Sequence, residues 1–259
     1  MTGWTARMPA LFVGHGSPMN AIEENEFSAA WMEAAGSLPH PDAILCVSAH
    51  WETAESRVTA MERPRTIHDF YGFPQPLFDV EYPAPGSPGL ARLVHETVRA
   101  TPVGYDFHWG VDHGAWSVLR RMFPYADVPV VQLSLDRTKD PAFHYGLGRE
   151  LRPLREKGIL IIGSGNIVHN LGRMVWEDTR YGWAVEFDEV MRRSIQYGDH
   201  ARIVHYPELG EAARLSVPTN EHFLPLLYVL ALQDKGEEVR FFAEKVTLGS
   251  ISMRSLRIG

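Results

Sequence analysis

Short apolar runs alternate along the chain with segments whose apolar residues recur every three or four positions. Pro9–Val13 reads as a buried strand ending at Gly14, and 42–48 as a second strand. Val128–Leu133 and 158–163 repeat the pattern, and the latter is apolar between two glycines. Helical spacing marks Glu23–Gly36, where Phe27, Ala30, Trp31 and Ala34 share a face. Ser87-Pro88 opens a helix to about Ala100, with serine as cap and proline in the first turn. Further helices are predicted at Ala115–Phe123, from Asp140-Pro141 to about Lys157, through most of Val168–Gln196, and at His222–Gln233. Val239–Ala243 and Ser250–Leu256 read as closing strands. Near-continuous apolar strands alternating with helices predict an α/β fold, a sheet covered on both faces. No repeat or linker interrupts residues 1–259, so one domain is expected. The loop Thr53–Pro85 is long and rich in Pro, Phe and Tyr, a composition suited to a binding loop.

Composition narrows the function. At 45% hydrophobic and 22% charged residues, the 259-residue chain is neither disordered nor fibrous. A net charge of −7 argues against nucleic acid or an anionic membrane as partner. The longest apolar runs fall well short of the ~20 residues of a membrane helix. The first nine residues are too short and polar for a signal-peptide core. The one cysteine, Cys46, lies mid-strand and permits no intrachain disulfide, which agrees with a reducing cytoplasm.

Twelve histidines stand out in so acidic a chain, because imidazole is the commonest metal ligand. In open α/β sheets, functional groups gather at the carboxyl ends of strands. His15 follows the first strand between two glycines, His50 closes the second, His169 follows the strand at 158–163, and His222 opens an apolar helix. If those strands are neighbours, the imidazoles meet at one edge and form a site for Zn²⁺ or Fe²⁺. His113 is a fifth candidate. A lone histidine at a strand end is more often a hydrogen-bonded turn residue, so the reading rests on the group. His40, His95, His144, His200 and His205 lack this context, and His68 and His108 are intermediate. No Walker loop, GxGxxG, CxxC or GxSxG motif competes.

Six blocks, in order, carry a family likeness: Gly14–Pro18; Ser48–Trp51; His68–Pro74; Asp112–Gly114; Gly163–Asn166 with His169-Asn170; and Glu221–Leu226. Together they resemble the DODA-type extradiol aromatic ring-opening dioxygenases, the DOPA 4,5-dioxygenase relatives in the class III, LigB-like group. The resemblance implies a single three-layer α/β/α domain with a central mixed, mostly parallel sheet. It implies one divalent metal ion, with Zn²⁺ as the ion found on isolation and Fe²⁺ as the one needed for turnover. His15, His50 and His222 look like ligands, and His169 looks like the residue that meets substrate and oxygen, with a possible place as fourth ligand. His113 looks like a second proton-handling residue. Other class III members use a glutamate as third ligand, so Glu221 competes with its neighbour His222. The implied partners are a DOPA-like catechol and O₂, and the oligomeric state is open. The aromatic stretch Asp69–Phe78 either covers the substrate ring or forms a satellite cluster under the loop. Arg63, Arg65 and Lys139 are guesses for contacts to a substrate carboxylate. A zinc hydrolase built on the same histidines, or a non-catalytic metal-binding protein, are the alternative functions.

Overall fold

The computed structural model describes residues 7–259, so most of the segment judged too polar for a signal peptide lies outside it. The strands in chain order are β1 Ala10–Gly14, β2 Ala43–Thr53, β3 Arg57–Thr59, β4 Arg65–Thr66, β5 Gly104–Asp106 and β6 Gly110–Val111, followed by β7 Val130–Asp136, β8 Ile159–Gly165, β9 Val239–Phe242, β10 Val246–Thr247, β11 Ile251–Ser252 and β12 Ser255–Ile258. The helices are α1 Glu26–Gly36, α2 Gln75–Phe78, α3 Pro88–Thr97, α4 His113–Met122 and α5 Pro141–Glu150, then α6 Gly182–Gln196, α7 His200–Val204, α8 Glu211–Ser216 and α9 Leu224–Ala231. Eight strands form one mixed sheet in the order β5-β3-β7-β2-β8-β1-β12-β9. Its centre, β7-β2-β8-β1, is parallel. Antiparallel β12 and β9 close one side, and β3 runs antiparallel to β7 on the other.

The central strands are apolar on both faces because both faces are buried. Phe12, Leu45, Val47 and Ile161 point into one core with α5, α6 and α9; Leu11, Val13, Ile44, Cys46, Leu160 and Ile162 point into the other, with Trp31 of α1 and Trp116 of α4. The result is the expected three-layer α/β/α arrangement. Side-chain caps start the helices where the sequence placed polar residues: Asn25 for α1, Ser87 for α3, Asp112 for α4 and Asp140 for α5. Among the described residues, no helix is long and apolar enough to cross a membrane.

Four expectations need correcting. The Thr53–Pro85 loop contains β3, β4 and α2. The helix expected from Val168 starts only at Gly182; before it the chain makes one short 3-10 turn at Leu171–Arg173. The helix from Asp140 ends at Glu150 and tightens into a 3-10 segment, Arg152–Lys157, where Pro153 blocks continuation. Ser250–Leu256 is two strands, β11 and β12, in different sheets. The second strand also runs further than expected, to Thr53. Its register against β7 shifts between Val47 and Glu52, and His50 sits in that irregular stretch.

Candidate metal centre

Since β2, β8 and β1 are neighbours and parallel, their carboxyl ends lie at one edge. His15 directly follows β1, and its N–H donates to the Gly165 carbonyl at 3.1 Å. His222 comes from the other side, just ahead of α9. The Asn166 N–H donates to its carbonyl at 2.8 Å. A Cβ on Gly165 would lie 2.1 Å from that carbonyl oxygen, so glycine is what lets the two segments touch. Gly114 does the same for α4: a Cβ there would lie 2.6 Å from both His50 Cδ2 and Ser48 Oγ.

Ring nitrogens of His15, His50 and His222 all lie within 4.8 Å of one another. The outer nitrogen of each ring has an oxygen partner. The Ser164 hydroxyl donates to the Gly114 carbonyl at 2.6 Å, so its oxygen accepts from His15 Nδ1 at 3.0 Å. Asp69 Oδ2 is 3.3 Å from His50 Nδ1, and Glu221 Oε1 accepts from His222 Nδ1 at 2.9 Å. Carboxylate and hydroxyl acceptors hold protons on Nδ1, so in the neutral rings Nε2 is the free lone pair. His15 Nε2 and His50 Nε2 face each other at 3.2 Å, close enough to share either a proton or a cation. Metal–nitrogen bonds of about 2.0–2.1 Å at tetrahedral or octahedral angles set two neighbouring ligands roughly 2.8–3.4 Å apart. The donor set therefore fits a divalent ion.

The electrostatics agree. Burial pushes the pKa of His15 and of His222 well below the ordinary imidazole value, and the neighbouring histidines push it further. Both are neutral at pH 7, as a ligand must be. Burial also works against a charged His50, but its hydrogen bond to Asp69 and the charges of Asp112, Asp69 and Glu221 outweigh it and raise its pKa. Asp69 is held well below the usual carboxylate range: burial opposes this, and His113 and His50 overcome it.

The remaining candidates surround this trio. His113 opens α4; its N–H donates to Asp69 Oδ1 at 2.9 Å, and its Nδ1 lies 3.0 Å from the same oxygen, a contact short of an aligned hydrogen bond. Its ring lies 3.8 Å, centroid to centroid, from that of His50. His169 stacks on His222 with centroids 3.4 Å apart and planes 9° apart. It groups with Glu221 and His222, outside the trio formed with His15 and His50. Burial first, then His50 and His113, lower its pKa to about 3. Glu221 stands behind His222 as its hydrogen-bond acceptor.

Above the trio opens a cavity of about 550 Å³. The loop residues Asp69 to Pro74 form one wall, and Leu171, Met174, Trp176, Leu248 and Ile251 another. The aromatic stretch forms the expected satellite cluster, with Phe70 packed on Phe73, Phe78 and Trp116, and Phe70 also lines the cavity. No arginine or lysine lines it among the described residues, so Arg63, Arg65 and Lys139 are not contacts there. Arg65 is in β4, and the Lys139 ammonium lies over the Phe143 ring. Sequence reading missed the role of Asp69, whose one signal was an acid amid aromatic residues. It missed Ser164 and the Leu171–Trp176 wall, which had been read as helix. It also missed buried Asp112, which accepts from Ser48 Oγ at 2.6 Å and Gln132 Nε2 at 2.7 Å beneath His50.

Known proteins repeat this architecture. The family model described as the catalytic LigB subunit of aromatic ring-opening dioxygenase matches residues 8–253. The chain is 48% identical to a 4,5-DOPA dioxygenase extradiol of Escherichia coli K12, covering 98% of this chain and 96% of that protein. It is 39% identical to the Beta vulgaris protein of the same name, over 83% of each. The crystal structure of an uncharacterized protein from Escherichia coli K12 superposes with a TM-score of 0.86 at 44% identity, covering 98% of this chain and 100% of that one. The chain belongs to the LigB family and is an extradiol aromatic ring-opening dioxygenase of the DODA type.

Proposed function

We propose that residues 1–259 form one catalytic domain that adds both atoms of O₂ to a catechol, next to the diol, and releases a muconic semialdehyde. His15, His50 and His222 would hold one divalent ion. The observation that carries this is the convergence of the ring nitrogens of His15, His50 and His222, with the Nε2 atoms of His15 and His50 3.2 Å apart, at the floor of an apolar cavity. A divalent ion held by these three residues would supply Lewis acidity toward the catechol oxygens, and since zinc has no redox chemistry, iron(II) would be the ion that also supports reaction with O₂. The relatives' names make DOPA the first catechol to test. The one cysteine, Cys46, is buried and permits no intrachain disulfide, which supports a reducing compartment such as the cytoplasm.

The protein side of the chemistry is proton handling. His169 is neutral in the free protein and its nitrogens are not tied to a carboxylate, so it is the group placed to take a catechol proton. A catecholate beside it raises its proton affinity and lets it hold that proton until the opening ring needs it. Asp69 holds His113 and His50 in register from the opposite side; burial and the neighbouring His50 lower the His113 pKa, which makes His113 a second neutral imidazole able to take a proton. The aromatic loop and the Leu171–Trp176 wall exclude water around the ring. The test is anaerobic reconstitution of metal-free protein with each ion, followed by catechol and air. The iron form should consume O₂ and give the yellow ring-opened product, while the zinc form binds catechol without turnover. Equal rates for zinc would overturn the metal assignment, and turnover under nitrogen would point to a hydrolase.

A further inference from the structure

The segment Ser250–Met253 supports the site from behind. Ile251 lines the cavity and forms a β-bridge with His169. The Ser252 N–H donates to the Val168 carbonyl at 3.0 Å, and the Asn170 N–H donates to the Ser250 carbonyl at 3.2 Å. The Ser250 hydroxyl donates to the Asn170 carbonyl at 2.8 Å. Backbone on both sides of His169 is therefore laced to this segment. Yet the segment's own register is weakly specified. β11 is two residues long and meets β10 at two positions, Val246 with Ser252 and Thr247 with Ile251. A slip by one residue would turn Ile251 away from the cavity.

A buried ion pair supplies the missing pin. Asp188, on α6, is 4% exposed and Arg254 6%. Asp188 Oδ2 accepts from Arg254 Nε at 3.0 Å and from Nη2 at 2.6 Å. Asp188 Oδ1 accepts from the Ser252 hydroxyl at 2.6 Å, and the Arg254 N–H donates to that hydroxyl oxygen at 3.2 Å. Arg254 Nη1 donates to Glu244. A buried pair of this kind adds little stability over an apolar pair of the same volume, and its best-attested use is to fix register. Here the polar groups converge on Ser252, the neighbour of Ile251.

We propose that Asp188 and Arg254 are positioning residues for ring opening: their ion pair locks the register of Ser250–Met253 and, through it, the place of the His169 ring. This role rests on the reading of His169 as the proton-handling residue. The metal ligands have separate ties, since the His15 N–H donates to Gly165 and the His222 carbonyl accepts from Asn166. The effect therefore falls on the reaction step and spares the metal.

The variants are read for zinc affinity, for kcat and KM of the iron-loaded enzyme, and for the urea unfolding midpoint. Asp188→Asn should lower kcat about 10–100-fold, with KM and zinc affinity little changed. It also leaves Arg254 buried without its charge partner, so the double variant Asp188→Leu/Arg254→Met is made beside it to keep the fold without the pin. Its unfolding midpoint should match that of the unaltered protein while kcat stays low. Where neither folds, Ser252→Ala, which deletes only the shared hydroxyl, decides by a fall in kcat at unchanged zinc affinity. In a His169→Gln background the Asp188 substitution should cost nothing further, because both act on one step. Normal kcat in the stable double variant, or in Ser252→Ala where that variant decides, overturns the proposal, as does a full loss in the His169→Gln background. If His169→Gln alone leaves kcat unchanged, it is the proton-handling reading that fails, and this role falls with it.

Discussion

The floor and the rim of the cavity are built on opposite plans. At the floor, His15, His50 and His222 issue from or beside buried parallel strands, and each ring has its outer nitrogen against a hydroxyl or carboxylate. At the rim, Leu171, Trp176 and Tyr71 stand largely in solvent, on segments without regular structure beyond one short 3-10 turn. The chemistry needs atoms fixed to a fraction of an ångström, whereas contact with a ring substituent needs only area. One cavity can thus keep a rigid reaction and a changeable substrate range.

If that division is right, floor substitutions lower metal affinity and kcat together, and rim substitutions change KM alone. His222→Ala should have the largest effect, with metal binding and ring opening both falling to the assay floor, read by metal analysis after gel filtration and by O₂ uptake. Asp69→Asn removes the charge that orients two histidines; metal affinity should drop ~10–100-fold with the fold intact. Acid stability gives the baseline for any pH release of metal. Buried His144, bonded to Tyr228 Oη, has its pKa lowered to about 4, first by burial. The unfolded chain binds that proton from about pH 6.5 downward, so stability is complete above that pH and falls between about 6.5 and 4. The His144 share should approach about 3 kcal/mol, beside further loss from His15, His169 and His222, and it is read as the part of the slope that His144→Gln removes in urea unfolding of metal-free protein. Leu171→Ala should be the mildest, raising KM several-fold for the catechol while metal affinity and kcat hold. A change in metal affinity there would break the contrast.

The same contrast explains what could be read in advance. Strand positions such as Phe12, Val47 and Ile161 are apolar because two helical layers cover them, so the fold class is written in their composition. The histidines are visible because His15, His50 and His169 follow such runs and His222 opens one. The positions that failed are those whose structure depends on partners far along the chain. Met174 and Trp176 sit among spacing that suits a helix, yet they stay irregular because the Val175 N–H donates to Leu248 and Asn170 to Ser250. Asp69 gains its meaning only when β2 and α4 place His50 and His113 beside it. Likewise Ser250–Leu256 splits because Ile251 pairs back on β10 while Leu256 pairs with β1 and β9.

The antiparallel pairing of β1 with β12 also bears on biosynthesis. Gly14, next to His15, donates its N–H to Ser255 Oγ at 3.0 Å, so a residue near the front of the chain is clamped by one translated some 240 positions later. The turn that carries His15 is thus fully held only once β12 has paired with β1, so the first ligand takes its final place late in folding.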